Sequence, residues 1–110
     1  MDKYLDSTLS PRERAEDLVG RMTIREKAGQ LNQRLYGFDC YTRHGGEIEL
    51  TTEFKDEVRH WGGLGVLYGL YRADPWSKRD FSSGLDGGLA IKAYNMVQKF
   101  VIEHSRFGIP

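Results

Sequence analysis

The chain is short of almost everything that would declare a function outright. It has one cysteine, Cys40, in 110 residues, so no internal disulfide framework exists, and this usage fits a reducing compartment such as the cytoplasm. Charge of one sign is equally lacking, because sixteen Lys and Arg offset sixteen Asp and Glu. That balance leaves no electrostatic footprint for nucleic acid or an anionic membrane surface and favours a neutral partner. No apolar run reaches ten residues, which excludes a membrane span, and the polar opening Met1-Asp2-Lys3-Tyr4-Leu5-Asp6 has no secretory character. Internal repeats, Pro/Ser-rich linkers and charge blocks long enough for a disordered tail are missing too. A chain of 110 residues is one small domain at most, with about two-thirds of its unfolded surface to bury and little stability to spare.

What is present is a clear order of elements. Ser10-Pro11-Arg12-Glu13 reads as a capping box with proline at the first helical position, and Ala15, Leu18, Val19 and Met22 follow at helical spacing. Thr23-Ile24-Arg25-Glu26 offers a second box at once, so two helices joined by almost no loop are expected. Gln30 to Phe38 reads as a first strand and Asp39 to Leu50 as a loop broken by Gly45-Gly46. Thr51 or Thr52 then starts a helix with the stripe Phe54, Val58 and Trp61, stopped by Gly62-Gly63. Leu64 to Leu70, apolar and glycine-bounded, has the look of a buried second strand, and a polar loop from Arg72 to Gly88 leads to the last helix. That helix carries Leu89, Ala93, Met96, Val97, Phe100 and Val101 on one side, and Gly108 is its expected stop. The order is helix, helix, strand, helix, strand, helix, which argues for parallel strands and right-handed crossovers. Two parallel strands leave both edges open, so these residues read as the first part of an α/β barrel or doubly wound sheet, with a further strand expected to start at Ile109-Pro110.

The motifs with a chemical reading are few. Neither Gly62-Gly63-Leu64-Gly65 nor Gly84-Leu85-Asp86-Gly87-Gly88 has the spacing of a dinucleotide or phosphate-binding loop, which disfavours a nucleotide site. Cys40 and His44 lie four apart with no second pair to complete a tetrahedral metal site, and solvent-exposed loop residues are the expectation for both. His60 and His104 fall near helix ends and have no visible nucleophile partner. Glu13 and Glu26 are explained by capping, Glu16, Asp17, Asp56 and Glu57 by solvated helix faces, and Glu47 and Glu49 by a loop or edge.

Three segments carry a resemblance. Leu18-Val19-Gly20-Arg21-Met22-Thr23-Ile24-Arg25-Glu26-Lys27-Ala28-Gly29-Gln30-Leu31, then Gly62-Gly63-Leu64-Gly65-Val66-Leu67, then Glu103-His104-Ser105-Arg106-Phe107-Gly108-Ile109-Pro110 resemble, in order, the start of the N-terminal barrel domain of glycoside hydrolase family 3, the β-glucosidase and β-xylosidase family. Asp39 to Thr52 and Asp74 to Gly88 match nothing in that pattern. The resemblance selects the barrel, so residues 1–110 are expected to form an incomplete N-terminal portion of a (β/α)8 TIM-type barrel. It implies a retaining, exo-acting β-glycosidase as the parent, with a β-linked glucoside or xyloside as substrate and no cofactor or metal.

In that family the nucleophilic aspartate comes from a later strand, the acid/base residue in many members from beyond the barrel, and a sugar-gripping aspartate from just after the strand that Ile109-Pro110 would begin. None of these positions lies in this sequence, so it holds no catalytic residue and the fragment is expected to be inactive. Sugar rings present flat C–H faces that stack on aromatics, which singles out Tyr36, Tyr68, Tyr71 and Trp76. Tyr36 and Tyr68 stand near strand ends, where barrel sites form, and are the substrate-binding candidates, with core or interface packing as the plainer account. A different class of reading is a small non-catalytic interaction domain that docks through its aromatic loops. Unpartnered strand edges and helix faces also lead us to expect self-association.

Overall fold

The computed structural model describes residues 1–110. Four helices form: α1 (Pro11–Arg21), α2 (Ile24–Gln30), α3 (Thr52–Trp61) and α4 (Gly87–Glu103). Both capping boxes close as the sequence requires. Ser10 Oγ accepts the Glu13 amide at 3.3 Å while the Glu13 carboxylate accepts the Ser10 amide at 3.1 Å. At the start of α2 the Thr23 hydroxyl and the Glu26 carboxylate exchange the same bonds at 3.1 and 2.8 Å. Thr51 caps α3 by accepting the Phe54 amide, and it also donates to the Asp39 carbonyl at 2.6 Å, which ties the helix to the preceding chain. Gly62, at φ +70°, ends α3.

The sheet differs from expectation. Residues 39–50, read as a loop, contain an antiparallel hairpin of β1 (Tyr41–His44) and β2 (Glu47–Leu50), with Tyr41 opposite Leu50 and His44 opposite Glu47. Gly45-Gly46 does not break a regular element here; it makes the two-residue turn of one, with Gly45 at φ +62°. Tyr41, Arg43, Ile48 and Leu50 share the inner face, and Thr42, His44, Glu47 and Glu49 face water.

The expected strands at Gln30–Phe38 and Leu64–Leu70 are not continuous strands. They are two extended segments running parallel, joined by one bridge between Tyr36 and Tyr68. The Val66 amide donates to Asn32 O at 3.2 Å and the Gly37 amide to Tyr68 O at 2.7 Å. A regular parallel ladder begun at the first of these bonds would bring the Tyr36 amide to Tyr68 O, so Gly37 arrives one residue late. The cause is local: Asn32 Oδ1 accepts the Arg34 amide at 2.9 Å and folds the chain into a side-chain turn that competes with the ladder.

The core lies between the hairpin, α3 and α4. Cys40, Tyr41, Ile48, Phe54, Val58, Ala93, Val97, Phe100 and Val101 form it with Leu64 and Leu70. Cys40 is therefore corrected from an exposed loop residue to a fully buried one, its thiol pushed up to about 12 by burial. The stripes expected on α3 and α4 hold: Phe54 and Val58 are buried, as are Ala93, Val97, Phe100 and Val101. By contrast α1 buries no residue, and Ala15 and Val19 of its apolar side stay exposed. The last helix ends at Glu103 and not beside Gly108. His104 closes it, its amide donating to Phe100 O at 3.0 Å with its Nδ1 at 3.0 Å from the same oxygen. Gly108 has φ +61° in a separate turn.

The three segments that carry the family resemblance meet at one node. Arg106 grips Glu26 through Nε at 2.9 Å and Nη2 at 2.7 Å, and Nη2 also donates to Arg21 O at 2.9 Å. A side chain at Gly65 would run into the Gln30 backbone, and one at Gly29 would come within 2.7 Å of Trp61 Cβ. These glycines permit close packing of α2 on the end of α3 and the chain that follows it; Gly62-Gly63-Leu64-Gly65 opens no helix, which leaves it without the geometry of a phosphate loop.

Candidate functional site

The two parallel segments give the molecule a direction. At their amino ends the buried carboxylate of Glu57 accepts Asn32 Nδ2, Arg34 Nη2 and Trp61 Nε1, each at 2.9 Å. Glu57 thus sits in the interior and not on a solvated helix face. Burial pushes its carboxyl up, but the donors from Asn32, Trp61 and Arg34 outweigh that and hold it below the ordinary range. With all three donors fixed on it, Glu57 is a structural tie.

At the carboxyl ends the chain leaves each segment into a loop, and two arginines clamp the loops together. Arg79 Nη2 donates to Phe38 O at 2.7 Å and Tyr41 O at 2.5 Å, with its guanidinium 4.3 Å from the Tyr41 ring centre. Arg43 reaches the other way, to Gly45 O at 2.7 Å, Phe81 O at 3.2 Å and Gly84 O at 2.8 Å.

On this rim the aromatics gather. Tyr36 stacks on Phe38 with ring centres 5.2 Å apart, and Trp76 stands edge-on to both at 4.9 and 5.3 Å. The Arg72 guanidinium lies 4.4 Å from the Trp76 ring, donates to the Tyr68 hydroxyl at 2.9 Å and pairs with Asp74 at 2.5 Å. Asp74 is held below the usual carboxylate range, first by the Ser77 amide and then by Arg72. Tyr36 and Tyr68, the sequence candidates, are thereby brought together, and Trp76 joins them. All three remain 40–50% exposed. Tyr71 lies apart, in a 430 Å³ apolar groove between residues 64–72 and α4 that also includes Tyr94, Val97 and Pro110.

Phe38, Arg72 and Asp74 were not among the residues singled out from sequence. The Asp74-Pro75-Trp76-Ser77 run holds the available signal, since an aspartate followed at once by proline and three residues later by serine is turn chemistry, and here Asp74 Oδ1 accepts the Ser77 amide at 2.8 Å. Other candidates separate. His44 is exposed on the hairpin while Cys40 is in the core, and no group of three His, Cys, Asp or Glu is placed to hold a metal ion. His60 packs edge-on against Trp61 at 4.7 Å and His104 stacks on Phe100 at 3.9 Å. Glu13 and Glu26 cap their helices, and exposed Glu47 pairs with Lys92 at 3.3 Å.

Comparison of the chain with family models, curated proteins and solved structures gives no match. No helix is long and apolar enough to cross a membrane.

Proposed function

We propose that these residues are the opening portion of a (β/α)8 barrel of the glycoside hydrolase family 3 type, whose complete enzyme is a cytoplasmic, retaining, exo-acting β-glycosidase for β-glucosides or β-xylosides. The observation that carries the reading is the pairing of Tyr36 with Tyr68 at the carboxyl ends of two parallel segments, where barrel enzymes build their sites. The convergence of the three resembling segments at Glu26, Gly62 and Arg106 supports it, because residues that match as separate stretches of sequence serve one packing node.

In this reading the chain supplies scaffold and rim, and no catalytic residue. Retention by a covalent route needs a nucleophile and an acid/base carboxyl roughly 5–5.5 Å apart. Here the buried carboxylates Glu26 and Glu57 are committed to Arg106, Thr23, Asn32, Arg34 and Trp61. The nucleophile and acid/base belong to later parts of the enzyme. The 110-residue chain should hydrolyse no aryl β-glucoside or β-xyloside, whereas the chain extended through the remaining barrel should do so with retention, read by NMR on the first anomer released. Inversion, or hydrolysis by the short chain, overturns the reading.

A second reading is an interaction domain that docks through its aromatic loops. Its support is Phe81, 98% exposed at the tip of the loop before α4. Absence of turnover in the extended protein, with a partner lost on Phe81→Ala, would select it.

A further inference from the structure

We propose that the cleft formed by Tyr36, Phe38, Asp39, Trp76, Ser77 and Lys78 binds a single uncharged pyranose ring. The inference rests on the glycosidase reading and deepens it, placing a sugar contact on this chain's own residues. The cleft has a volume of about 260 Å³. That is below the roughly 300–1,000 Å³ of pockets for drug-sized ligands, and suits one ring in place of a longer molecule. Its walls are set at right angles: the Tyr36 and Phe38 rings are within 11° of parallel, and Trp76 is turned 73–76° from them. Phe38 is buried and fixes the base, while Tyr36 and Trp76 keep 40% and 50% of their surfaces in solvent. Aromatic surface left wet in a corner offers the C–H faces of a sugar a place to stack.

The polar groups complete the match. Asp39 and Lys78 are exposed, and neither the Asp39 carboxylate nor the Lys78 ammonium has a hydrogen-bond or ion-pair partner within the chain. An acceptor and a donor on the same small cleft fit hydroxyl groups, which both give and take. A free anion is opposed by Asp39, and a proline-rich peptide needs a succession of aromatic slots, not one corner. The backbone at the cleft is also held under constraint. Lys78 is the one non-glycine residue with positive φ, +56°. Ser77 is locked before it by bonds with Asp74 at 2.8 and 3.0 Å, and Arg79 is clamped after it to Phe38 O and Tyr41 O. Such strain persists where surrounding structure over-determines it, and it collects at ligand sites.

The test is saturation-transfer NMR on the 110-residue chain with methyl β-D-glucopyranoside and methyl β-D-xylopyranoside, a measurement that tolerates self-association. Expected is transfer to the ring C–H protons, reduced at least about tenfold in Trp76→Ala and unchanged in Phe81→Ala. Far-UV circular dichroism accompanies each variant. Should Trp76→Ala fail to fold, Lys78→Gly answers instead, because it removes the ammonium while relieving the positive φ, and binding should still fall. No transfer to either glycoside, or equal transfer in wild type and both variants, overturns the proposal, as does displacement of the sugar by a proline-rich peptide. Binding here with no hydrolysis by the extended enzyme retains this site and removes the glycosidase reading; hydrolysis with no binding here does the reverse.

Discussion

Replacing Arg106 by Met should destabilise the chain by about 2 kcal/mol at neutral pH, and the loss should fade in acid. The Glu26 side chain is 11% exposed and Arg106 54% exposed, so the pair lies between the surface case, at most about 1 kcal/mol, and the buried case, about 3–5 kcal/mol when one partner is removed. Two parallel N–H···O bonds to a mostly buried carboxylate put the ion pair at or just above the top of the surface range, about 1–1.5 kcal/mol, and loss of the donor to the Arg21 carbonyl adds about 0.5–1 kcal/mol. Glu26 is lowered from 4.5 to about 2, chiefly by Arg106 and also by the Thr23 bonds. A depressed carboxyl contributes stability that is fully present above its unfolded value and is lost as pH falls through the folded one. The difference between wild type and variant should therefore be complete above about pH 5 and mostly gone near pH 2, leaving the Arg21 carbonyl bond, about 0.5–1 kcal/mol. Urea unfolding followed by circular dichroism at both pH values measures it, with a midpoint fall of about 1 M expected at pH 7. Equal midpoints at pH 7, or a gap that persists undiminished at pH 2, would refute the argument.

Ser10→Ala and Thr23→Ala should each cost about 1 kcal/mol in the same assay, Thr23 more than Ser10 because its box shares Glu26 with Arg106. Gly37→Ala should separate the two parallel segments, since its methyl would meet the Leu70 backbone; loss of slow exchange at the Gly37 amide, seen by hydrogen-exchange NMR, is the readout. Self-association should rise with concentration in sedimentation, because the radius of gyration, 15.8 Å, exceeds the about 13 Å of a compact chain this long and Leu31, Ile24 and Phe81 are at least 86% exposed. A dilute monomer with one sharp unfolding transition would contradict that.

What was legible in the sequence was local. The capping boxes need only residues three apart, and the stripes of α3 and α4 repeat within a turn or two, so both are written in short windows. The hairpin is harder to see: Tyr41-Thr42-Arg43-His44 and Glu47-Ile48-Glu49-Leu50 flank Gly45-Gly46, but the polar residues of the solvent face mask the alternation, and a glycine pair marks an irregular loop as readily as a hairpin turn. The single parallel bridge was not legible, because the Asn32 side-chain turn that spoils the ladder acts on a register set by residues more than thirty positions away. Glu57 looks like a surface carboxylate until Asn32, Arg34 and Trp61 converge on it. At the rim, Tyr36 and Tyr68 could be picked from their places near strand ends. Their union with Phe38, Trp76 and Arg72 depends on how two long loops fold back.

The arginine clamps of the rim differ in kind from the Glu26–Arg106 pair. Arg79 and Arg43 spend their donors on main-chain carbonyls of Phe38, Tyr41, Ser83, Gly45, Phe81 and Gly84, none of which can be protonated away in mild acid. Acidification and added salt should thus act unevenly along the molecule, loosening α2 from the turn that holds Arg106 while the two rim loops stay bound to each other. The exception on the rim is Asp74, whose carboxylate accepts the Ser77 amide and pairs with Arg72, so near pH 2 the turn that carries Trp76 should loosen along with α2 while the Arg79 and Arg43 clamps persist.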